Sequence, residues 1–279
     1  MKAIIIGDIH AKRFQNLHNV VEEESPDIIA STGDYSNVMD FELSEESALI
    51  QLYGKEVIEA LGAKDIDQAR GIMTGGLSSI ANVFPYLEMT VKNPETYRII
   101  RSQMKEVFQV FEEQGRKVLV IPGNHDPPKI FSEEAAKFSN IVNIHKNYYL
   151  EGNIVFLGYG GAQLSPFEFQ SEFDEEDALA ELLEMLEQVS SYDKKVIITH
   201  APPLELRDLT KRGHAGSKAI REVYERARPL ALICGHIHEG VGRTENVLNV
   251  GEFRKGFYGI IEINERLERL DLRNYLRIA

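Results

Sequence analysis

VLVIPGNHDPPK, residues Val118–Lys129, sets four apolar residues and Pro122 before Gly123, Asn124, His125 and Asp126, with two prolines after them. The apolar run has the length of a buried strand. An amide, an imidazole and a carboxylate stand directly beyond it. Proline fixes φ and glycine permits a sharp exit, so the loop is built to hold these side chains in place. A purely structural asparagine turn is the plain alternative.

Apolar runs of similar length recur along the chain, at residues 3–6, 27–31, 117–121, 141–144, 153–158, 195–199, 230–234, 247–250, 257–263 and 269–272. Helical patterns are clearest at 11–24, 174–190 and 216–227. Strands alternating with helices predict an α/β fold around buried sheet. Links shorten in the C-terminal third, where INERLERL, residues 263–270, reads as a hairpin.

Residues 38–115 break this rhythm. SEESALIQLYGKEVIEALG reads as a capped helix ending at Gly62. NPETYRIIRSQMKEVFQVFEEQG has Asn93 as N-cap, Pro94 at the first helical position and Gly115 as a stop. Its Tyr97, Ile100, Met104, Val107, Phe108 and Phe111 form one stripe, and a weaker helix is expected between the two. The chain thus reads as one domain over residues 1–279 with a helical insertion at 38–115. The insertion is either a packed decoration or a cap over a site, since functional insertions favour loop ends.

The 279 residues suffice for a sizeable core. Lys and Arg total 31 against 44 Asp and Glu, a net charge of −13. Proteins that wrap nucleic acid carry a basic balance or stripe. Here residues 162–193 hold neither Lys nor Arg, and FDEEDALAELLEMLEQ is strongly acidic. This argues against extended nucleic-acid binding. Cys234 is the single cysteine, so no intrachain disulfide forms, and a reducing, cytoplasmic setting is expected. The apolar run in MKAIIIGDIH is too short for a membrane span or a signal peptide, so no membrane partner is expected.

Five of the apolar runs end in residues of metal-ligand type: Asp8 and His10; Asp34 and Asn37; Asn124, His125 and Asp126; His200; His236 and His238. Chemistry in α/β sheets sits beyond the C-terminal ends of strands, so neighbouring strands would gather these loops at one rim. Gly7, Gly33, Gly123 and Gly235 permit close backbone approach there. A lone Asp-x-His, His-x-His or His is weak evidence, but all five in order are not. His18 and His145 read as structural, and Cys234 as a small core residue.

The order Asp8-x-His10, Gly33-Asp34, Gly123-Asn124-His125-Asp126, His200, Gly235-His236-x-His238 resembles the calcineurin-like metallophosphoesterases. It spans nearly the whole chain. The resemblance implies a two-layer β-sandwich flanked by helices and a dinuclear metal site. One metal would take Asp8, His10, Asp34 and His238. The other would take Asp34, Asn124, His200 and His236, with Asp34 bridging. His125 would sit beside the substrate without binding metal, and Asp126 would orient it. The activity implied is hydrolysis of a small phosphomonoester or phosphodiester, including nucleotides.

Such a site suits phosphate esters, whose own charge repels nucleophiles. Two divalent cations about 3.5–4 Å apart clamp phosphoryl oxygens and deprotonate a bridging water. Their charge against two carboxylates and a hydroxide leaves a surplus of about +1, enough to attract phosphate even in an acidic protein. Asn124 matters here, because an aspartate would erase that surplus. Mixed N and O donors without thiolate suit Mn, Fe, Co, Ni or Zn, with Mn favoured as the working choice.

Departures narrow the subclass. GDYSNV lacks the aspartate and arginine of the protein Ser/Thr phosphatases. Asn37 stands where purple acid phosphatases place a tyrosine ligand, with Tyr35 nearby. The stretch from His200 to Gly240 is closer to small prokaryotic-type members. In it His214, like Asn37, is a candidate substrate contact, and Ser217 a helix cap. The rival readings are a DNA nuclease of the same superfamily and a non-catalytic scaffold of the same fold.

Overall fold

The computed structural model describes residues 1–38, 47–73, 93–165 and 169–277, with Val83 and Tyr86. Within them the strands are β1 (Lys2–Ile6), β2 (Ile28–Ser31), β3 (Lys117–Val120), β4 (Ile141–Asn143), β5 (Asn147–Glu151), β6 (Ile154–Tyr159), β7 (Ala162–Gln163) and β8 (Glu172–Phe173). There follow β9 (Lys194–Thr199), β10 (Leu209–Thr210), β11 (Gly213–His214), β12 (Ala231–Cys234), β13 (Gly242–Thr244), β14 (Val247–Asn249), β15 (Phe257–Ile263) and β16 (Leu267–Asn274). The helices are α1 (Leu17–Glu24), α2 (Ala48–Ala60), α3 (Ile66–Met73), α4 (Pro94–Glu113), α5 (Pro128–Ala135), α6 (Glu175–Gln188) and α7 (Lys218–Ala227).

Two six-stranded sheets carry the fold, ordered β16-β15-β1-β2-β3-β4 and β13-β14-β12-β9-β6-β5. Strands β1 to β4 run parallel, as do β6, β9, β12 and β14. The antiparallel pairs lie toward the edges, and β15 and β16 form the expected hairpin.

The apolar runs are continuous because both faces of each sheet are covered. Strand geometry sends alternate residues to opposite sides. Ala3 and Ile5 join Phe156, Ile198 and Ile233 in the layer between the sheets. Ile4 and Ile6 face outward onto Leu17, Phe108 and Phe111. On the other sheet, Val155, Leu157 and Ile197 pack against Leu182 of α6 and Val223 of α7. The result is the two-layer sandwich flanked by helices that the resemblance implied.

The described residues of 47–73 pack on the outer face of the first sheet, where Leu49, Val57, Ala69 and Met73 share one apolar layer with Ile4 and Ile29. Helix α3 supplies the weaker helix expected between α2 and α4. Asn93 caps α4 by accepting from the Glu95 amide at 2.9 Å. Its stripe is buried from Ile100 to Phe111, while Tyr97 is only half-buried.

Three local features differ from the sequence reading. Helix α1 starts at Leu17 rather than near residue 11, because Ala11 and Arg13 hold left-handed φ values of 51° and 56°, which an α-helix excludes. Helix α5 follows the GNHD loop directly, with Pro128 at its first position. Strand β5, NYYLE, escaped notice because it is a polar, partly exposed edge without a clear alternation.

Candidate metal centre

The loops after β1, β2, β3, β9 and β12 meet where the two sheets adjoin. Their backbones are pinned to one another. Asp8 N–H donates to Gly33 O at 3.0 Å, His10 N–H to Asp34 O at 2.9 Å, and Gly235 N–H to His200 O at 2.9 Å. The approach is so close that a Cβ on Gly123 would collide with the Asp34 carboxylate, and one on Gly235 with that of Asp8. Asp8, His10, Asp34 and His236 adopt φ values of 46°, 47°, 58° and 64°. Left-handed backbone is uncommon outside glycine and collects at functional sites, where the surroundings over-determine it.

Two carboxylates lie at the centre, Asp8 fully buried and Asp34 3% exposed. Three imidazoles aim at them. Nδ1 of His10 is 3.1 Å from Ser36 O, and Nδ1 of His200 is 2.8 Å from Thr32 O. A carbonyl oxygen only accepts, so each Nδ1 carries a proton and each ring turns its Nε2 inward. Nδ1 of His238 faces the Glu252 carboxylate at 3.4 Å. The Nε2 atoms of His10 and His200 stand 3.9 and 3.5 Å from Asp34 Oδ2, and that of His238 stands 3.6 Å from Asp8 Oδ1. Asn124 Oδ1 lies 2.9 Å from His200 Nε2, within hydrogen-bond distance.

Lone pairs converging at these separations fit a shared cation. Donors bonded to one ion at about 2.0–2.2 Å each come to rest a few ångströms apart. Among the described residues, three overlapping groups have ligand atoms within 4.8 Å of one another: Asp8, His10 and His238; His10, Asp34 and His125; Asp8, Asp34 and His200. The ring of His236 lies 4.9 Å from that of His200, and its amide donates to Asp8 Oδ1 at 3.1 Å.

The electrostatics favour the metal-binding form of the two carboxylates and of His236, whereas Asp8 and Glu252 offset burial and raise His238, whose proton a metal would have to displace. Burial would raise Asp34, but the imidazoles of His125, His200 and His10 more than offset it and hold the carboxyl below its ordinary range. Burial likewise opposes ionisation of Asp8, and His238, whose Nε2 lies 3.6 Å away, outweighs it. Burial, with His200 beside it, pushes His236 down to about 3, which keeps its ring neutral. Metal ligands need unprotonated imidazole and ionised carboxylate.

Asp126 differs from the expectation that it orients His125. Its Oδ2 accepts from the amides of Gly123 and Asp34, both at 2.8 Å, and its Oδ1 from that of Tyr35 at 3.0 Å. Three backbone amides occupy the carboxylate, so Asp126 staples the second loop to the third. His125 instead packs its ring 4.6 Å from that of Phe169, and its amide donates to Asp34 Oδ1 at 3.0 Å. Asn37 is buried, and its Oδ1 accepts from Gln103 Nε2 at 2.8 Å, which ties the second loop to α4. His214 lies on the short β10–β11 hairpin, half-exposed, with Nδ1 2.7 Å from Asp208 Oδ1. Tyr35 points away from the centre, its hydroxyl donating to Ile121 O at 2.9 Å and its ring among Phe108, Phe111 and Phe131.

The expected structural residues hold. Ser217 Oγ accepts from Ile220 N–H at the start of α7, and Cys234 is fully buried. His145 Nδ1 accepts from the Gly160 amide at 2.9 Å, and His18 is an exposed helix residue near Glu113.

Sequence reading missed two supports. Glu252, 3% exposed, stands behind His238 and is itself held by Arg254 at 2.6 Å and Lys255 at 2.5 Å. Asn249 donates to the carbonyls of Arg207, Gly235 and Ile237 and so fixes the loop that carries His236 and His238. Neither residue belongs to a recognisable motif. The only sequence signal was a polar residue at the end of the apolar run VLN.

Comparisons with known proteins bear on the family and the fold. A family profile described as metallophosphoesterase, calcineurin superfamily, matches residues 80–272. An uncharacterized protein of Methanocaldococcus jannaschii is 30% identical over 150 residues, which cover 51% of this chain and 66% of that protein. A Thermus thermophilus crystal structure superposes with a TM-score of 0.58 at 14% identity, covering 98% of both chains. A dimetal phosphatase from Danio rerio gives a TM-score of 0.53 at 10% identity over 98% of this chain and 95% of that one. These two likenesses establish the fold. With the family profile covering more than half of its length, the chain belongs to the calcineurin superfamily of metallophosphoesterases.

Proposed function

We propose that the protein hydrolyses a small phosphate ester, mono- or diester, at a dinuclear centre of divalent cations, manganese foremost. The observation that carries this reading is the convergence of Nδ1-locked imidazoles on two buried carboxylates. In the proposed division, Asp8, His10, Asp34 and His238 hold one cation, and Asp34, Asn124, His200 and His236 the other. Bound there, the cations supply Lewis acidity toward the phosphoryl oxygens and lower the pKa of water.

The chain's own residues do the rest. The surrounding sheets exclude bulk water from the carboxylates. His125, outside both ligand sets, donates a proton to the departing ester oxygen. Asp126 holds the His125 loop against the Asp34 loop through backbone amides. Asn37 enters through Nδ2, which has no hydrogen-bond partner among the described residues, and His214 through the ring nitrogen not engaged by Asp208.

The test is hydrolysis of bis(p-nitrophenyl) phosphate and p-nitrophenyl phosphate by protein loaded with Mn²⁺, with metal content measured on the same sample. Turnover that rises with metal content supports the reading. A fully loaded protein inert toward both esters and toward a panel of nucleotides would leave a scaffold as the better description.

A further inference from the structure

The acid–imidazole pair expected at Asp126 and His125 occurs elsewhere, at Asp208 and His214. Asp208 is 1% exposed. Its Oδ2 accepts from the amides of Glu205 at 3.0 Å and Gly216 at 2.9 Å, and its Oδ1 faces Nδ1 of His214 at 2.7 Å. One oxygen holds the loop and the other is left for the imidazole. Burial would raise the Asp208 carboxyl, but the bond from His214 and those from the two amides outweigh it and hold it below its ordinary range. An ionised carboxylate only accepts, so Nδ1 carries a proton and Nε2 is the ring nitrogen left for a ligand. The side chain is 46% exposed, so a ligand can reach it.

The pair stands at the open side of the centre. His238 is 34% exposed, against 4% for His10 and Asp34 and 0% for Asp8 and His200. Strand β10, whose Leu209 pairs with His214, rests on the turn His238–Gly240. Arg207 Nε donates to Gly240 O at 2.9 Å, and a Cβ on Gly240 would collide with Arg207 O. At the other end, Ser217 N–H donates to Pro202 O and Leu204 N–H to Ser217 O, both at 2.9 Å, which fastens the segment just beyond His200. Glu205 and Arg207 hold left-handed φ values of 65° and 60°, a backbone kept only where its surroundings over-determine it. The hairpin is thus pinned to two loops that carry proposed metal ligands.

From this arrangement we infer that His214 meets a phosphoryl oxygen of the ester from the His238 side, and that Asp208 is the residue that positions it. The inference rests on the function proposed above and adds Asp208 to it. An ionised carboxylate behind the ring and a phosphate anion in front both favour the doubly protonated imidazole. Nε2–H then donates a charge-assisted hydrogen bond to the anion. In a chain of net charge −13, the pair supplies a cation held in one orientation where the substrate enters.

Methylphosphonate, a non-hydrolysable anion, tests this on the Zn²⁺-loaded protein, which is diamagnetic. Its affinity is measured calorimetrically. The ring nitrogen-15 resonances of His214, assigned by their absence in His214→Ala, are followed on the same sample. The expected result is that both ring nitrogens carry protons at saturation and that His214→Ala binds about ten-fold more weakly. Asp208→Asn keeps one oxygen for the two amides but turns an NH2 toward Nδ1. It should weaken binding about as much as His214→Ala, with zinc content unchanged. The double variant should bind no more weakly than either single one, because Asp208 acts through the ring. Full affinity in His214→Ala, or His214 resonances unmoved at saturation, overturns the contact. Losses that multiply in the double variant overturn the positioning role. So does a free protein in which neutral His214 carries its proton on Nε2, a measurement that needs no variant of Asp208 to fold. A wild-type protein that takes up zinc but binds no methylphosphonate overturns the phosphoesterase reading itself.

Discussion

The carboxylate of Glu252 lies 3.4 Å from Nδ1 of His238, on the far side of the ring from Asp8. The imidazole is therefore held between two acids, one behind it and one in the centre. The two acids more than offset burial and raise the His238 pKa above its ordinary value.

Removing that support should weaken one cation more than the other. Loss of a partner behind a ligating histidine typically costs about 10–100-fold in metal affinity. Glu252→Ala should show this loss at the site that includes His238 while the second site stays filled. Stepwise Mn²⁺ titration with chelator competition measures it. Two unchanged affinities would remove Glu252 from the metal-supporting set.

Asp34 is the residue shared by both proposed ligand sets. Asp34→Asn should therefore lower the content of both metals, whereas His238→Ala should mainly lower one. Elemental analysis after purification in Mn²⁺ decides. Retention of two metals per chain in Asp34→Asn would contradict the bridging assignment.

Asp126 has a structural signature. Asp126→Asn replaces one acceptor oxygen by an NH2 donor facing buried N–H groups, and each unsatisfied group costs about 1–3 kcal/mol. The expected loss is about 2–4 kcal/mol in urea unfolding of the metal-free protein. A stable variant that has nonetheless lost activity would return Asp126 to the catalytic role its position in the motif suggested.

His145 predicts a pH dependence. Burial, with Lys146 beside it, lowers its pKa in the fold to about 4 from the ordinary 6.5. Between these values the unfolded chain binds the extra proton, so stability is full above pH 6.5 and is lost as pH falls toward 4. The two values differ by an amount worth about 3 kcal/mol. His145→Gln should flatten this part of the stability profile relative to the wild type, whatever its effect at pH 8. Parallel profiles between pH 7 and 4.5 would count against the assignment.

His125 tests the division between ligand and proton donor. His125→Ala should keep both metals and lose about 10²–10⁴-fold in rate on esters with basic alkoxide leaving groups. The loss should shrink for p-nitrophenolate, which departs without a proton. An equal loss across the series would indicate phosphate binding instead. Loss of a metal would move His125 into the ligand set, a short step given its place beside His10 and Asp34.

The strands were legible because sheets buried on both faces leave unbroken apolar runs, and Phe257–Ile263 was read to the residue. The five polar loops were legible because each follows such a run at once. Helix α1 was read too long because a left-handed φ at Arg13 has no signature in an arginine. The bonds that Asp126 accepts were not legible because its partners are backbone amides, which sequence does not display. Glu252 reaches His238 only after the chain has turned through β13 and β14, so no fixed spacing announces it.

The loops that supply Asp8, His10, Asp34 and Asn124 leave the first sheet, and those that supply His200, His236 and His238 leave the second. In the proposed division each cation draws ligands from both. The metals would then be rivets across a seam, and the sandwich would be a clasp that closes on them. Stripping them should loosen the junction before either sheet frays. Amide exchange in the five loops should quicken together, while Ile4 and Ile197 at the hearts of the two sheets keep their protection.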